Sequence, residues 1–195
     1  MPGISALVLA TRNPHKVREI ARLLRPAGIA VLPLPAEVEL PPETGATFAD
    51  NALPKARAAA RATGRPAIAD DSGIEAHALG GLPGIRSARY AGERASDEEN
   101  LAKLLREAPA GSGARYVCAL AFVDPDTGEE QVFLGDCRGT LAGAPRGSGG
   151  FGYDPAFIPR EVADGRTMAE LSEAEKDAIS HRGRAVRELI RWLGR

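Results

Sequence analysis

The sequence predicts a fold of mixed α and β class, with buried strands set among amphipathic helices. Two observations carry that expectation. Residues 4–10 are almost continuously apolar, and Thr11-Arg12-Asn13-Pro14-His15-Lys16 then leads into a stretch with Val17, Ile20, Ala21 and Leu24 on one helical face. Later, residues 115–123 and 130–139 read as strands. Asp124-Pro125-Asp126-Thr127-Gly128 between them has the chemistry of a turn, so the pair reads as a hairpin.

Taken in order, the first helix has Asn13 suited to the N-cap and Pro14 to the first helical position; Pro26 and Gly28 end it. A helix start offers N–H groups and a positive dipole end, and Lys16 lies one turn in, so this is a candidate anion site. An ordinary capped surface helix is the competing reading, because the stretch is not a glycine-rich P-loop. Residues 29–34 form a second short strand. Residues 33–42 are Pro-rich and acidic, with Glu37 and Glu39, and Glu43 follows.

Thr47 and Asp50 have capping-box spacing, and an alanine-rich helix follows to about residue 63, with Gly64 as its stop. Pro54 predicts a kink or a local widening inside it. Asn51 and Lys55 are four apart and share a face, either turned to a phosphate or solvated.

Ala69-Asp70-Asp71-Ser72-Gly73 follows a short apolar run. It reads as a buried strand whose end carries paired carboxylates, or as an Asp-Ser-Gly turn. Buried acids are costly unless something positive meets them. Residues 79–84 are a Gly/Pro loop, and a helix runs from Ser96 to about residue 107 with Leu101, Leu104 and Leu105 inward.

Gly147, Gly149 and Gly152 match a dinucleotide fingerprint only formally, since Tyr153-Asp154-Pro155 opposes a helix there. A loop offering an aromatic ring and backbone N–H groups to a planar ligand fits better; a hairpin loop with Phe151 plugging the core is the alternative. Residues 173–177 form a further short segment. Ser180 then suits an N-cap, and Ala185, Val186, Leu189, Ile190 and Leu193 mark the buried face of a last helix. His181 and Arg182 in its first turn are unfavourable there without a nearby acceptor.

The chain of 195 residues is 44% hydrophobic and 26% charged, enough for one domain over 1–195 or two lobes sharing a core. With 25 basic and 26 acidic residues the net charge is -1, which gives no support to nucleic-acid binding. Met1-Pro2-Gly3-Ile4-Ser5 does not read as a signal peptide, and no apolar run is long enough to span a bilayer. Cys118 and Cys137 are the only cysteines and are expected as buried thiols in a reducing cytoplasm. His15, His77 and His181 have no zinc-site spacing.

Together these stretches resemble the inosine triphosphate pyrophosphatase family, most closely its bacterial dITP/XTP pyrophosphatase branch. The motifs that carry the resemblance are residues 11–16; Glu43-Thr44-Gly45 with Thr47-Phe48, Asn51-Ala52 and Lys55-Ala56; residues 69–73 on to Gly84; Phe151-Gly152-Tyr153-Asp154-Pro155; and Glu175-Lys176 with Ser180-His181-Arg182. Pro54 departs from the pattern inside one motif. The resemblance implies an α/β fold with a long mixed central sheet flanked by helices, two lobes around an active-site cleft, and a homodimer. It implies hydrolysis of ITP, dITP and XTP to the monophosphate and pyrophosphate. Carried over by position, Asp71 is the catalytic proton acceptor and, with Glu43, a ligand of Mg2+ (Mn2+ as a substitute). Thr11, Arg12, Asn13, Pro14, His15, Lys16, Lys55 and Ser72 are triphosphate and sugar contacts. Phe151, Gly152, Tyr153, Asp154, Lys176, His181 and Arg182 form the nucleotide and base pocket.

Elementary electrostatics agrees with a cation. Unit charges ~4 Å apart at an effective dielectric of ~20 interact by about 4 kcal/mol, so Glu43, Asp70 and Asp71 left bare would repel a polyphosphate. Hard oxygen ligands on both sides favour magnesium or manganese over zinc. Arg182 and His181 are donors and suit the 6-keto edge of hypoxanthine or xanthine rather than the 6-amino group of adenine. Ser72 has no evident base partner, which argues against a covalent nucleophile. A pyrophosphatase for modified pyrimidine triphosphates and a nucleotide-binding regulator without turnover are the competing functions.

Overall fold

The computed structural model describes residues 4–194; the opening Met1-Pro2-Gly3, read above for targeting, lies outside them. Six strands and five α-helices follow in the order β1 (Ala6–Leu9), α1 (Pro14–Leu24), β2 (Ala30–Pro33), α2 (Phe48–Thr63), β3 (Ala67–Ala76), α3 (Asp97–Glu107), β4 (Gly113–Val123), β5 (Glu130–Leu141), β6 (Phe157–Pro159), α4 (Glu173–Ile179) and α5 (His181–Leu193). The sheet runs β2-β1-β3-β4-β5-β6. It is mixed: β1 pairs in parallel with β2 and β3, while β5 and β6 are antiparallel. The α/β class is as the sequence predicts, and the long mixed sheet is as the resemblance implies.

Local chemistry explains the boundaries. Asn13 caps α1, with Pro14 at its first position. Thr47 and Asp50 exchange both bonds of a capping box at the start of α2, and Gly64 closes that helix in the left-handed region at φ 61°. Ser96 and Glu99 do the same for α3, and Ser172 and Glu175 for α4. Pro54 lies inside α2, which runs from Phe48 to Thr63.

The sequence expectation for residues 69–73 needs correction. The acids do not end a strand, nor do they form a turn; β3 continues through them from Ala67 to Ala76. Gly73 makes this possible: a Cβ there would lie 2.4 Å from both the Gly84 carbonyl oxygen and Ser87 Oγ. The same Ser87 hydroxyl accepts from the Ile74 amide at 2.9 Å. The chain that follows is therefore folded back against β3 at a position only glycine fits.

Two compact units divide the chain. The first comprises the chain up to Asp71, Cys118–Gly135 and the chain from Arg182. Its core joins Leu7 and Leu9 of β1, Ile20 and Leu24 of α1, Ile68 of β3, Leu120 and Phe122 of β4, and Ala185, Val186 and Leu189 of α5. The second comprises Ser72–Val117 and Asp136–His181, around Ile74, Leu101, Leu104, Tyr116, Leu141, Phe157 and Met168. Cys118 and Cys137 are buried thiols outside any disulfide, as expected, and burial pushes the Cys118 thiol up to about 12, which leaves it unreactive. Among the described residues no helix is long and apolar enough to cross a membrane.

Candidate active site

In the first unit, two adjacent acids on β3 meet different partners. Asp70 is fully buried. Its Oδ2 lies 3.1 Å from Lys16 Nζ and accepts from Arg182 Nη2 at 3.0 Å and Arg182 Nε at 3.2 Å. Burial alone would push this carboxyl up; Lys16, then Arg182 and Lys55, hold it well below the ordinary range instead. Arg182 is 2% exposed, and its Nη1 donates to Glu19 Oε2 at 2.5 Å. The acceptor that a positive pair at the start of α5 requires is thus supplied to Arg182 by Asp70 and Glu19.

Asp71 has weaker compensation. Asn51 Nδ2 donates to its Oδ2 at 2.9 Å, while Asn51 Oδ1 accepts from the Gly45 amide at 2.7 Å. One α2 side chain therefore ties β3 to the loop before the helix. Lys55, one turn on, donates from Nζ to Glu43 Oε1 at 2.5 Å and to the Asp70 carbonyl oxygen at 2.9 Å. For Asp71, burial outweighs the attraction of Lys55 and the Asn51 bond, the Glu43 charge adds to it, and the carboxyl is raised. Asp70 Oδ2 is held by the cations of Lys16 and Arg182, whereas Asp71 is a buried acid that gains from a further cation.

Residues 11–16 divide between scaffold and charge. Arg12 donates to the carbonyls of Leu34, Pro35, Ala36 and Val38, pinning the Pro-rich loop. Thr11 Oγ1 accepts from the Asn13 amide at 3.2 Å. The helix-start N–H groups read as open donors are occupied: Pro14 has none, His15 and Lys16 donate to Asn13 Oδ1, and Val17 donates to the Asn13 carbonyl. Asn13 satisfies them because it is the cap. His15 Nδ1 meets Arg18 Nη2 at 2.8 Å. What α1 brings to the acids is the ammonium of Lys16.

The second unit holds a separate cluster. Asp154 is buried, and its Oδ2 accepts from Lys176 Nζ at 2.5 Å and from the Phe151 amide at 2.9 Å. Lys176 Nζ sits 5.2 Å from the centre of the Phe151 ring. Gly152 donates its amide to Asp97, and Tyr153 donates its hydroxyl to the Ser87 carbonyl at 2.7 Å. The loop at 151–154 is thus fastened by side chains, and Phe151 is half-buried rather than a core plug. Tyr116 of β4 donates to Asp154 Oδ1 at 3.1 Å and stacks on the His181 ring, centroids 4.5 Å apart and planes 4° apart.

This pairing of motifs has known counterparts. The model of the Ham1 family matches residues 7–192. The chain belongs to the Ham1 family. It is 52% identical to a "dITP/XTP pyrophosphatase" of Frankia alni, with 96% of each chain covered, and 49% identical to one of Streptomyces avermitilis, again over 96% of each. Among solved structures it is similar to a HAM1 protein from Coxiella burnetii, with TM-score 0.84 and 40% identity over 98% of this chain and 99% of that one. The Ham1 protein of Staphylococcus aureus gives TM-score 0.82 and 39% identity over 97% of this chain and 98% of that one.

In this Ham1-family chain, Glu43 and Asp71 could hold a divalent cation. Both are hard oxygen donors, the Glu43 charge adds to burial in raising Asp71, and a cation there would relieve that acid. Two carboxylates suit an ion that takes its other ligands from water and phosphate oxygens. Ser72, half-buried on β3 directly after Asp71, keeps its place beside them in sequence. Glu19 and Tyr116 carry no signal in the sequence. Glu19 reads as the solvated face of α1, and Tyr116 as one more strand aromatic.

Proposed function

We propose that this chain hydrolyses ITP, dITP and XTP, non-standard purine nucleoside triphosphates, to the monophosphate and pyrophosphate, by attack of water on the phosphate chain. The observation that carries the reading is the buried, raised Asp71 beside Glu43 and Lys55. The names borne by the Frankia and Streptomyces relatives support the substrate class. Glu43 and Asp71 would hold Mg2+, or Mn2+ in its place. When bound, that ion supplies charge neutralisation at the phosphates and acidifies bound water. Asp71 accepts the proton of the attacking water, Lys16 and Lys55 face the phosphate oxygens, and Asn51 holds the Asp71 carboxylate in place. Ser72, Thr11 and His15 belong to the same phosphate and sugar contacts, and Arg12, Asn13 and Pro14 shape them.

The base falls to Phe151, Gly152, Tyr153, Asp154, Lys176 and His181. Phe151 offers a face for stacking, and His181 a donor for the 6-keto oxygen of hypoxanthine or xanthine. Adenine presents an amino group there, and a buried donor left unmatched costs ~1–3 kcal/mol. Arg182, whose three nitrogens turn to Asp70 and Glu19, supports this edge from the next position in the chain. A cytoplasmic homodimer is the assembly that accompanies this reading.

Steady-state pyrophosphate release from ITP, XTP, ATP, dUTP and dTTP tests it. Preference for ITP and XTP is the expected result. A pyrimidine preference overturns the substrate class, and binding of ITP without turnover leaves a regulator in place of an enzyme.

A further inference from the structure

We propose that Tyr116 is a positioning residue for base discrimination, fixing the plane in which His181 presents its ring nitrogens. The inference rests on the reading of His181 as the donor to the 6-keto edge. Tyr116 is held at three points. Its ring lies parallel to His181 at 4.5 Å and 4°, the Phe157 ring lies across it in a T-shaped contact at 4.8 Å and 70°, and its hydroxyl donates to Asp154 Oδ1 at 3.1 Å. Asp154 is itself held by Lys176 and by the Phe151 amide. The aromatic ring offered to a base and the imidazole offered to its edge are therefore tied to one β4 side chain.

The stack matters because an imidazole donates only in its own plane. Hydrogen bonds weaken steeply once the donor angle falls below ~120°. A ring free to rock by tens of degrees about its Cβ–Cγ bond would donate to a keto oxygen poorly and penalise an amino group little. A parallel neighbour at 4.5 Å blocks that rocking on one face, whereas the hydroxyl of Tyr116 acts on Asp154 and not on the imidazole. Ring and hydroxyl are thus separable by substitution. A purely structural Tyr116 would make both variants lose ITP and ATP hydrolysis alike.

The test compares Tyr116→Phe, which keeps the ring, with Tyr116→Leu, which removes it; Tyr116→Met serves where the leucine variant does not fold. Tyr116→Phe is expected to hold the ITP-over-ATP ratio of kcat/KM near the wild-type value. Loss of the ring is expected to lower the ratio about tenfold, the size of one hydrogen bond, mainly through KM for ITP. In proton NMR of the nucleotide-free protein, the His181 ring signal, assigned with His181→Gln among three histidines, is expected upfield in wild type and Tyr116→Phe and normal without the ring. Equal losses for ITP and ATP, an unchanged ratio, or an unshifted His181 signal in wild type overturns the proposal alone. A wild-type protein with no ITP preference overturns the functional reading and this proposal together.

Discussion

Asp70 and Asp71 are neighbours on one strand with opposite relations to the fold, and substitution separates them. Asp70→Asn leaves the Arg182 guanidinium short of its main anion in a buried setting, and we expect a loss of ~3–5 kcal/mol in urea unfolding. Asp71→Asn removes a charge that burial penalises, so the variant should melt above wild type at pH 7 while turnover falls by about 10²–10⁴. A shift of both variants in the same direction would contradict this division. The pH dependence has opposite signs as well. The depressed Asp70 stabilises the fold above its ordinary value of 3.8, and that contribution is lost as pH falls below 3.8 toward the folded value. The raised Asp71 favours the folded state most below 3.8, and its contribution is lost as pH rises through its folded value. The stability gain of Asp71→Asn should therefore vanish in acid, and the deficit of Asp70→Asn should shrink as pH falls below 3.8. Unfolding curves from about pH 2.5 to about pH 7 check both.

At the scale of elements, the caps were legible and the strand through the acids was not. Asn13, Thr47 with Asp50, Ser96 and Gly64 act over three or four residues, so spacing alone locates them. Thr47→Ala should cost about 1 kcal/mol, seen in the unfolding midpoint. The continuity of β3 depends instead on Gly84 and Ser87 packing over Gly73, which no local pattern announces. Gly73→Ala should cost about 1–3 kcal/mol by overpacking; a neutral variant would mean the approach is looser than described. The helix start of α1 teaches the converse. Asn13 was legible as a cap, yet a cap that satisfies the amides also removes them as ligands for an anion.

Over the whole molecule, what escaped the sequence is what joins distant residues. Arg182 meets Asp70 across 112 residues and Glu19 across 163, and no periodicity connects them. Strand order likewise follows from pairing between segments far apart, so β3 beside β1 could not be read from either. The motifs themselves were legible because each keeps its chemistry within a few residues, and the Ham1-family match over residues 7–192 reflects them in order. The proposed activity requires the acids of the first unit to serve a cation and a polyphosphate. Phosphorus NMR of the products formed from ITP, with magnesium and with chelator, tests that most directly. Pyrophosphate and inosine monophosphate formed only with the metal is the predicted result. Inorganic phosphate and inosine diphosphate, or cleavage undiminished by the chelator, would contradict it.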